Sequence, residues 1–103
     1  MIETLNDLKA KQFFPLDEWG ERGLNHSEES TIEEMQLAVK TFIDFLINLY
    51  KTHPTNQFVI QEIQKYFDDW DSFDFDTEEM EYIFDSYFEI LKEIKIEPKE
   101  FSV

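Results

Sequence analysis

The sequence predicts an all-α domain, a small antiparallel bundle of about four helices with a long loop after the first helix. Apolar residues recur at intervals of three and four in four segments, which is the period of an amphipathic helix. No stretch shows sustained strand alternation, and two Gly and three Pro among 103 residues leave few tight turns. The length fits one domain over residues 1–103, and 11 Phe, four Tyr and two Trp supply volume for its core.

The first helix is predicted over residues 2–13, where apolar residues lie near helical spacing. It should end before Pro15, because the residue preceding a proline disfavours the α region. Residues 15–30 then form a long connection with two interpretations. Either Pro15 opens one helical turn through Trp19 that Gly20 closes, or the segment is irregular, as mobile or functional loops are.

The second helix has the clearest pattern. Ser30 with Glu33, or Thr31 with Glu34, forms a capping box that marks its start. Its apolar stripe comprises Ile32, Met35, Val39, Phe42, Leu46 and Leu49, with further apolar residues outside the stripe. A helix that is apolar on more than one face is packed by neighbours on several sides. We therefore expect a central helix that ends near residues 51–52.

Two further helices complete the predicted bundle. Thr55 can cap the third helix, whose apolar side comprises Ile60, Ile63, Phe67 and Trp70. The fourth helix begins at Asp76 or Thr77 and ends before Pro98. Its predicted stripe comprises Met80, Phe84, Tyr87, Leu91 and Ile94. Short connections between these helices favour antiparallel packing.

The charge excludes several classes of partner. Nine Lys and Arg against 24 Asp and Glu give a net charge of −15, which repels nucleic acid and anionic membrane surfaces. The apolar segments are too short and too acidic to span a bilayer. Glu3 and Asp7 do not suit a signal peptide, and the absence of Cys fits a reducing compartment. We expect a cytoplasmic protein, and the oligomeric state stays open.

Residues 66–82 contain eight carboxylates and no Lys or Arg. They do not form an EF-hand, which needs an oxygen ligand at position 5, Gly at 6 and Glu at 12. A loop starting at Asp69 has Phe73 at position 5, and one starting at Asp74 has Glu79 in place of the Gly. No metal site is predicted, although weak calcium binding or a carboxylate-dependent activity remains an alternative hypothesis.

The same stretch has a structural and a recognition interpretation. Acids from Asp76 onward begin a helix, where the dipole stabilises negative charge, and the rest could be solvated with aromatic rings turned inward. The dipole leaves the four aspartates at 68, 69, 71 and 74 unexplained, and no base occurs between residues 66 and 91. Aromatic residues among carboxylates suit a basic protein partner. The predicted partner-binding residues are Asp68, Asp69, Trp70, Asp71, Phe73, Asp74 and Trp19.

Trp19 itself has two interpretations. It could cover one end of the bundle as part of the core, or form an exposed apolar patch with Leu16 and Leu24 for a partner or for self-association. His26 and His53 are the two histidines, and neither lies in a zinc spacing such as H-E-x-x-H. The sequence has no nucleophile elbow or Gly-rich phosphate loop. We therefore expect no enzymatic activity and no cofactor.

The segment FDTEEMEYIFDSYFEILKEIKIE, residues 75–97, resembles a family of small uncharacterised bacterial domains. That family has a similar acidic helix start and an aromatic-rich last helix, and the likeness extends back to GLNHSEES at Gly23. The resemblance implies an all-helical bacterial domain without an assigned activity. In size and charge the chain also resembles small acidic immunity proteins. Our leading hypothesis is an inhibitor or immunity protein for a basic protein such as a nuclease toxin, and a structural homo-oligomeric subunit is another alternative.

Overall fold

The computed structural model describes residues 1–70 and 75–101, which form helices and their connections. The elements are α1 (Ile2–Lys9), α2 (Leu16–Glu21), α3 (Glu29–Tyr50), α4 (Asn56–Asp68) and α5 (Thr77–Glu93), followed by one 3-10 turn, Pro98–Glu100. No strand occurs within the described ranges. The predicted all-α class is confirmed, with one more short helix than the sequence pattern indicated.

The first helix is shorter than predicted. It ends at Lys9 rather than at residue 13, and Ala10 caps it. Phe13 and Phe14 are both buried, and Phe14 has a φ of 60° in the left-handed region. The left-handed backbone at Phe14 is incompatible with a continuing α-helix, and the two buried rings lie in the connection after α1.

The long connection contains α2, so its helical interpretation is correct and extends further than expected. Pro15 lies immediately before the helix, where its fixed φ favours helix initiation. Gly20 lies inside α2, whereas Gly23 adopts a φ of 74° just beyond it. The amide of Gly23 donates to Gly20 O and that of Leu24 to Trp19 O, both at 3.0 Å. These two bonds form a Schellman motif, which closes the helix.

The predicted capping box of α3 is wrong. Glu28 occupies the N-cap position and makes no side-chain capping bond, so Ser30 and Thr31 lie inside the first turn. By contrast, Thr55 caps α4 by accepting a 3.2 Å hydrogen bond from the amide of Phe58. Asp76 caps α5 through a complete capping box with Glu79.

The helices pack around α3. Lys9 Nζ lies 2.6 Å from Asp44 Oδ1, and Gln36 donates to the carbonyl of Phe13 at 3.0 Å. Residue numbers therefore rise along α1 as they fall along α3, which makes the two helices antiparallel. The Tyr87 hydroxyl donates to Ala38 O at 3.4 Å.

The connections fix the remaining directions. A short connection folds α4 back against α3, so these two are antiparallel as predicted. Ser27 bonds to Glu79, and Ala38 bonds to Tyr87. Residue numbers therefore rise together along α3 and α5, so the two helices are parallel. The starts of α3 and α5 consequently lie at one end of the bundle.

Aromatic rings fill the space between α3, α4 and α5. The ring of Phe42 lies 5.2 Å from Tyr66, 5.7 Å from Phe67 and 4.4 Å from Tyr87. The buried apolar face of α5 comprises Tyr82, Ile83, Tyr87, Ile90 and Leu91. The predicted stripe of α5 is therefore rotated, because its Met80 and Phe84 are only half-buried. No described helix is both long enough and apolar enough to cross a membrane.

Candidate functional site

The fold brings acidic residues together where α3 and α5 begin. We call residues 16–34, 68–70 and 75–85 the acidic end. They include 14 of the 24 acidic residues and one of the nine Lys and Arg, Arg22. Side-chain contacts from Ser27 to Glu79, from Tyr82 to Glu18 and from Arg22 to Asp85 join the first segment to the third. The Trp70 ring stacks on Phe75 and joins the second segment to the third. This end of the molecule should carry a strongly negative potential.

Arg22 is committed to contacts within the protein. Its guanidinium lies 4.2 Å from the centre of the Tyr82 ring, and its Nη1 donates to Asp85 Oδ2 at 2.9 Å. A second cation comes from the connection after α1, where Lys11 Nζ lies 3.9 Å from Glu89 Oε2. No Lys or Arg occurs within residues 66–91, but tertiary contacts supply a cation to two of the described acids there, Asp85 and Glu89.

Tyr82 connects α2 to α5. Its hydroxyl donates a 2.7 Å hydrogen bond to Glu18 Oε1, and its ring packs edge-on against Phe14 and Trp19. Burial is the main cause that raises the pKa of Tyr82, and the hydrogen bond to Glu18 adds to it. Burial likewise raises the pKa of the Tyr87 hydroxyl. Both phenols therefore stay protonated and act as donors.

Trp19 is 2% exposed and lies in the core. Its Nε1 donates to the carbonyl of Phe14 at 3.2 Å. The interpretation as a cover on the bundle matches this burial, whereas the proposed exposed patch centred on Trp19 does not. Leu16, from the same patch, is nevertheless 60% exposed. A partner could reach Leu16 without displacing Trp19.

Glu79 holds the start of α5 in place. It is 8% exposed and accepts a hydrogen bond from the Ser27 hydroxyl. It also accepts from the Asp76 amide at 3.0 Å, while Asp76 Oδ1 accepts from the Glu79 amide at 2.8 Å. These bonds satisfy the carboxylate inside the protein, so Glu79 has a structural role.

Asp68 and Asp69 form the part of the predicted site that faces solvent. Both are exposed at the end of α4, and Asp68 Oδ1 accepts a 3.0 Å hydrogen bond from Gln64. Within residues 1–70 and 75–101, no Lys or Arg forms an ion pair with either aspartate. The C-terminal end of a helix dipole disfavours anions, so the helix dipole stabilises neither carboxylate.

A groove lies beside these aspartates. The Trp70 groove has a volume of about 480 Å³ and is lined by Phe45, Glu62, Lys65, Tyr66, Asp69 and Trp70. The Trp70 ring stacks on Phe75 with their centres 6.0 Å apart. It also packs edge-on against Phe84 at 5.0 Å. These contacts hold the indole half-buried and rigid, which suits an anchor for a partner.

The structure gathers only part of the predicted site. Asp68, Asp69 and Trp70 lie together, whereas Trp19 belongs to the core. Asp71, Phe73 and Asp74 lie outside the described residues. Sequence reasoning missed the α3 side of the groove.

Phe45 and Tyr66 form that missed wall, with their rings stacked 4.7 Å apart. Phe45 falls outside the apolar stripe of α3, and this off-stripe position was the available signal. Its location opposite Tyr66 could be recognised only once α3 and α4 were paired.

The described residues contain no group of three or more His, Asp or Glu side chains arranged to hold a metal ion. His26 Nδ1 lies 3.0 Å from the carbonyl of the adjacent Ser27. The described geometry is that of a charged surface with an aromatic groove. Such a surface can bind a cationic polypeptide by charge complementarity and ring contacts.

No curated protein matches the chain, and no solved structure matches it. The sequence profile of one family, described as a domain of unknown function (DUF4844), matches residues 1–101. That span extends well beyond residues 75–97 and confirms the resemblance to an uncharacterised domain family. The chain belongs to the DUF4844 family of domains of unknown function.

Proposed function

We propose that this protein binds a basic protein through Asp68, Asp69 and the Trp70 groove. The most concrete version of this proposal is an inhibitor or immunity protein that acts in the bacterial cytoplasm. A basic protein such as a nuclease toxin uses Lys and Arg to bind an anionic substrate, and a carboxylate surface can occupy the same groups. Aromatic anchors give such an interface affinity, and opposite charge speeds the encounter.

The observation that carries the proposal is the pair of exposed aspartates at the end of α4. They have no ion pair with any described Lys or Arg, and they lie where the helix dipole opposes them. Charged residues that oppose the helix dipole and have no ion pair break a local rule of stability, as residues of functional sites often do. The adjacent rigid Trp70 supplies the apolar contact that charge alone lacks.

The test compares charge-matched variants in affinity capture from native-host lysate. The site variant is Asp68→Asn with Asp69→Asn, and the control is Glu97→Gln with Glu100→Gln, two exposed acids beyond α5. Each pair removes two negative charges. Capture is done at about 50 mM and about 500 mM salt, because screening weakens exposed charge contacts, and captured proteins are identified by mass spectrometry.

We expect one basic protein that the wild type and the control retain at low salt and that the site variant loses. Both variants should melt at or above the wild-type temperature, since neither removes a packed side chain. If the two variants lost the protein equally, binding would depend on net charge and the proposed site would be wrong. If the wild type captured no basic protein at either salt concentration, the proposed function would be refuted.

A further inference from the structure

A second concave surface lies at the acidic end, between the starts of α2 and α3. This Leu16 pocket has a volume of about 480 Å³, and its lining includes Phe14, Pro15, Leu16, Ile32, Glu29 and Glu33. The volume falls within the range of about 300–1,000 Å³ typical of ligand pockets. It can hold a short segment of polypeptide.

One side of the pocket is apolar. Leu16 is 60% exposed, although it belongs to the same short helix as the buried Trp19. Ile32 is half-buried and presents part of its side chain from α3. The helix α2 is closed by its own Schellman bonds and fixed to α5 through Tyr82. These contacts fix the position of α2, and Leu16 is held exposed at its start.

The other side of the pocket is negative. Glu29 and Glu33 are one helical turn apart on α3, and both are exposed. Like charges at this spacing destabilise a helix. No Lys or Arg in the described part of the chain forms an ion pair with either. A cation bound between the two carboxylates would remove their repulsion.

We propose that the Leu16 pocket binds an arginine side chain on a short segment of a basic polypeptide. A guanidinium is planar and weakly hydrated, so it can lie on an apolar surface while its N–H groups donate to carboxylates. Its methylene stem would cover Leu16. An anionic ligand would be repelled, and a neutral apolar ligand would leave the repulsion between the two carboxylates in place. A second copy of this chain would bring a further charge of −15.

The pocket is separate from the Trp70 groove. Glu29, Glu33 and Gln36 form one stripe on α3, and Gln36 bonds to the segment that follows α1. Phe45 faces α4 instead, through its contact with Tyr66. The inference shares a partner class with the proposed function but rests on different residues. A titration that does not involve Asp68 or Asp69 can therefore fail while that function stands.

The test uses a defined probe, acetyl-glycyl-arginyl-glycine amide, titrated into the full chain labelled with ¹⁵N. The matched probe replaces arginine with citrulline, which keeps the shape and removes the charge. We expect the arginine peptide to shift the backbone amide resonances of Leu16, Ile32 and Glu33. The citrulline peptide should bind about tenfold more weakly, because charged hydrogen bonds are roughly twice as strong as neutral ones.

Three variants localise the binding. Glu29→Gln with Glu33→Gln should weaken the arginine peptide about five- to tenfold, as expected for two exposed ion pairs. The charge-matched pair Glu97→Gln with Glu100→Gln should change it less than about twofold, since distant exposed charges are screened. Leu16→Ser leaves the charge unchanged and should weaken binding about threefold through lost apolar contact.

Circular dichroism melting verifies that each variant is folded. Three results would overturn the assignment: equal binding of the two peptides, shifts confined to residues outside the pocket, or equal weakening in the two charge-matched variants.

Discussion

Replacing Tyr82 with Phe isolates one hydrogen bond between α2 and α5. The substitution removes the hydroxyl that donates to Glu18 Oε1 at 2.7 Å. It keeps the ring contacts with Phe14 at 4.6 Å and Trp19 at 5.0 Å, and the guanidinium of Arg22 above the ring. The effect on stability is therefore that of the hydroxyl alone.

The magnitude follows from the exposure of the two partners. A hydrogen bond to a charged group contributes about 1.5–3 kcal/mol, but Glu18 is exposed and regains water when the hydroxyl is removed. We expect a loss of about 1 kcal/mol in the free energy of unfolding, at the neutral-bond end of the range. For a domain of this size that loss lowers the melting temperature by about 4–6 °C.

Urea denaturation measures this loss as a shift in midpoint with an unchanged slope. Tyr50→Phe is the control, because its ring is half-buried and no hydrogen bond from its hydroxyl is found in the described structure. Combining Tyr82→Phe with Glu18→Ala completes a double-mutant cycle. We expect a coupling free energy of about 1 kcal/mol between the two sites. A coupling below about 0.3 kcal/mol, within the error of additivity, would show that the bond does not stabilise the fold.

Two further predictions concern the helix caps and the buried phenols. Asp76→Ala and Thr55→Ala should each lower the free energy of unfolding by about 1 kcal/mol, because each removes a helix cap. Ser30→Ala should change it by less than about 0.5 kcal/mol, because Ser30 is not a cap. Urea denaturation measures these changes, and equal losses at all three positions would contradict the observed start of α3. Burial raises the pKa of Tyr82 and Tyr87 above the ordinary value of about 10, so the folded state retains their protons where the unfolded chain releases them. The corresponding stability is complete below about pH 10 and is lost as the pH rises through the raised values, so melting temperatures should fall steeply above pH 10. Tyr82→Phe should reduce this slope, and an identical slope in the variant would show that Tyr82 does not contribute to it.

Local sequence signals predicted the helices whose ends depend on local chemistry. The sequence predicts Thr55 as a cap and gives Asp76 or Thr77 as the start of the last helix. Thr55 and Asp76 are the caps in the structure, and their side chains bond to amides only three residues away. The start of α3 was placed wrongly, although Ser30 and Thr31 offer the same pattern. That helix begins after Glu28 without a side-chain cap, and the adjacent Ser27 hydroxyl bonds to Glu79, 52 residues further along. Local reasoning cannot include a bond of that range.

For the candidate site, too, the sequence indicated local features but not the contacts between distant residues. Composition and spacing indicated an acidic, base-free segment with aromatic residues, and they identified Asp68, Asp69 and Trp70. They could not show that Trp19 is buried or that Phe45 forms a wall of the groove. The spacing of aromatic residues shows which face of a helix is apolar. Which neighbouring helix packs on that face depends on how helices far apart in the sequence pair.

The sequence by itself determined that this protein is all-helical, strongly acidic and built on aromatic rings. Those properties depend on side-chain period, net charge and caps, which act over one or two helical turns. Only the tertiary structure decided that the starts of α3 and α5 share one end, and that Arg22 neutralises Asp85 there. Arg22 and Asp85 are 63 positions apart, and such contacts arise from packing the core as a whole. Packing therefore concentrated charges that lie in three separate segments of the sequence.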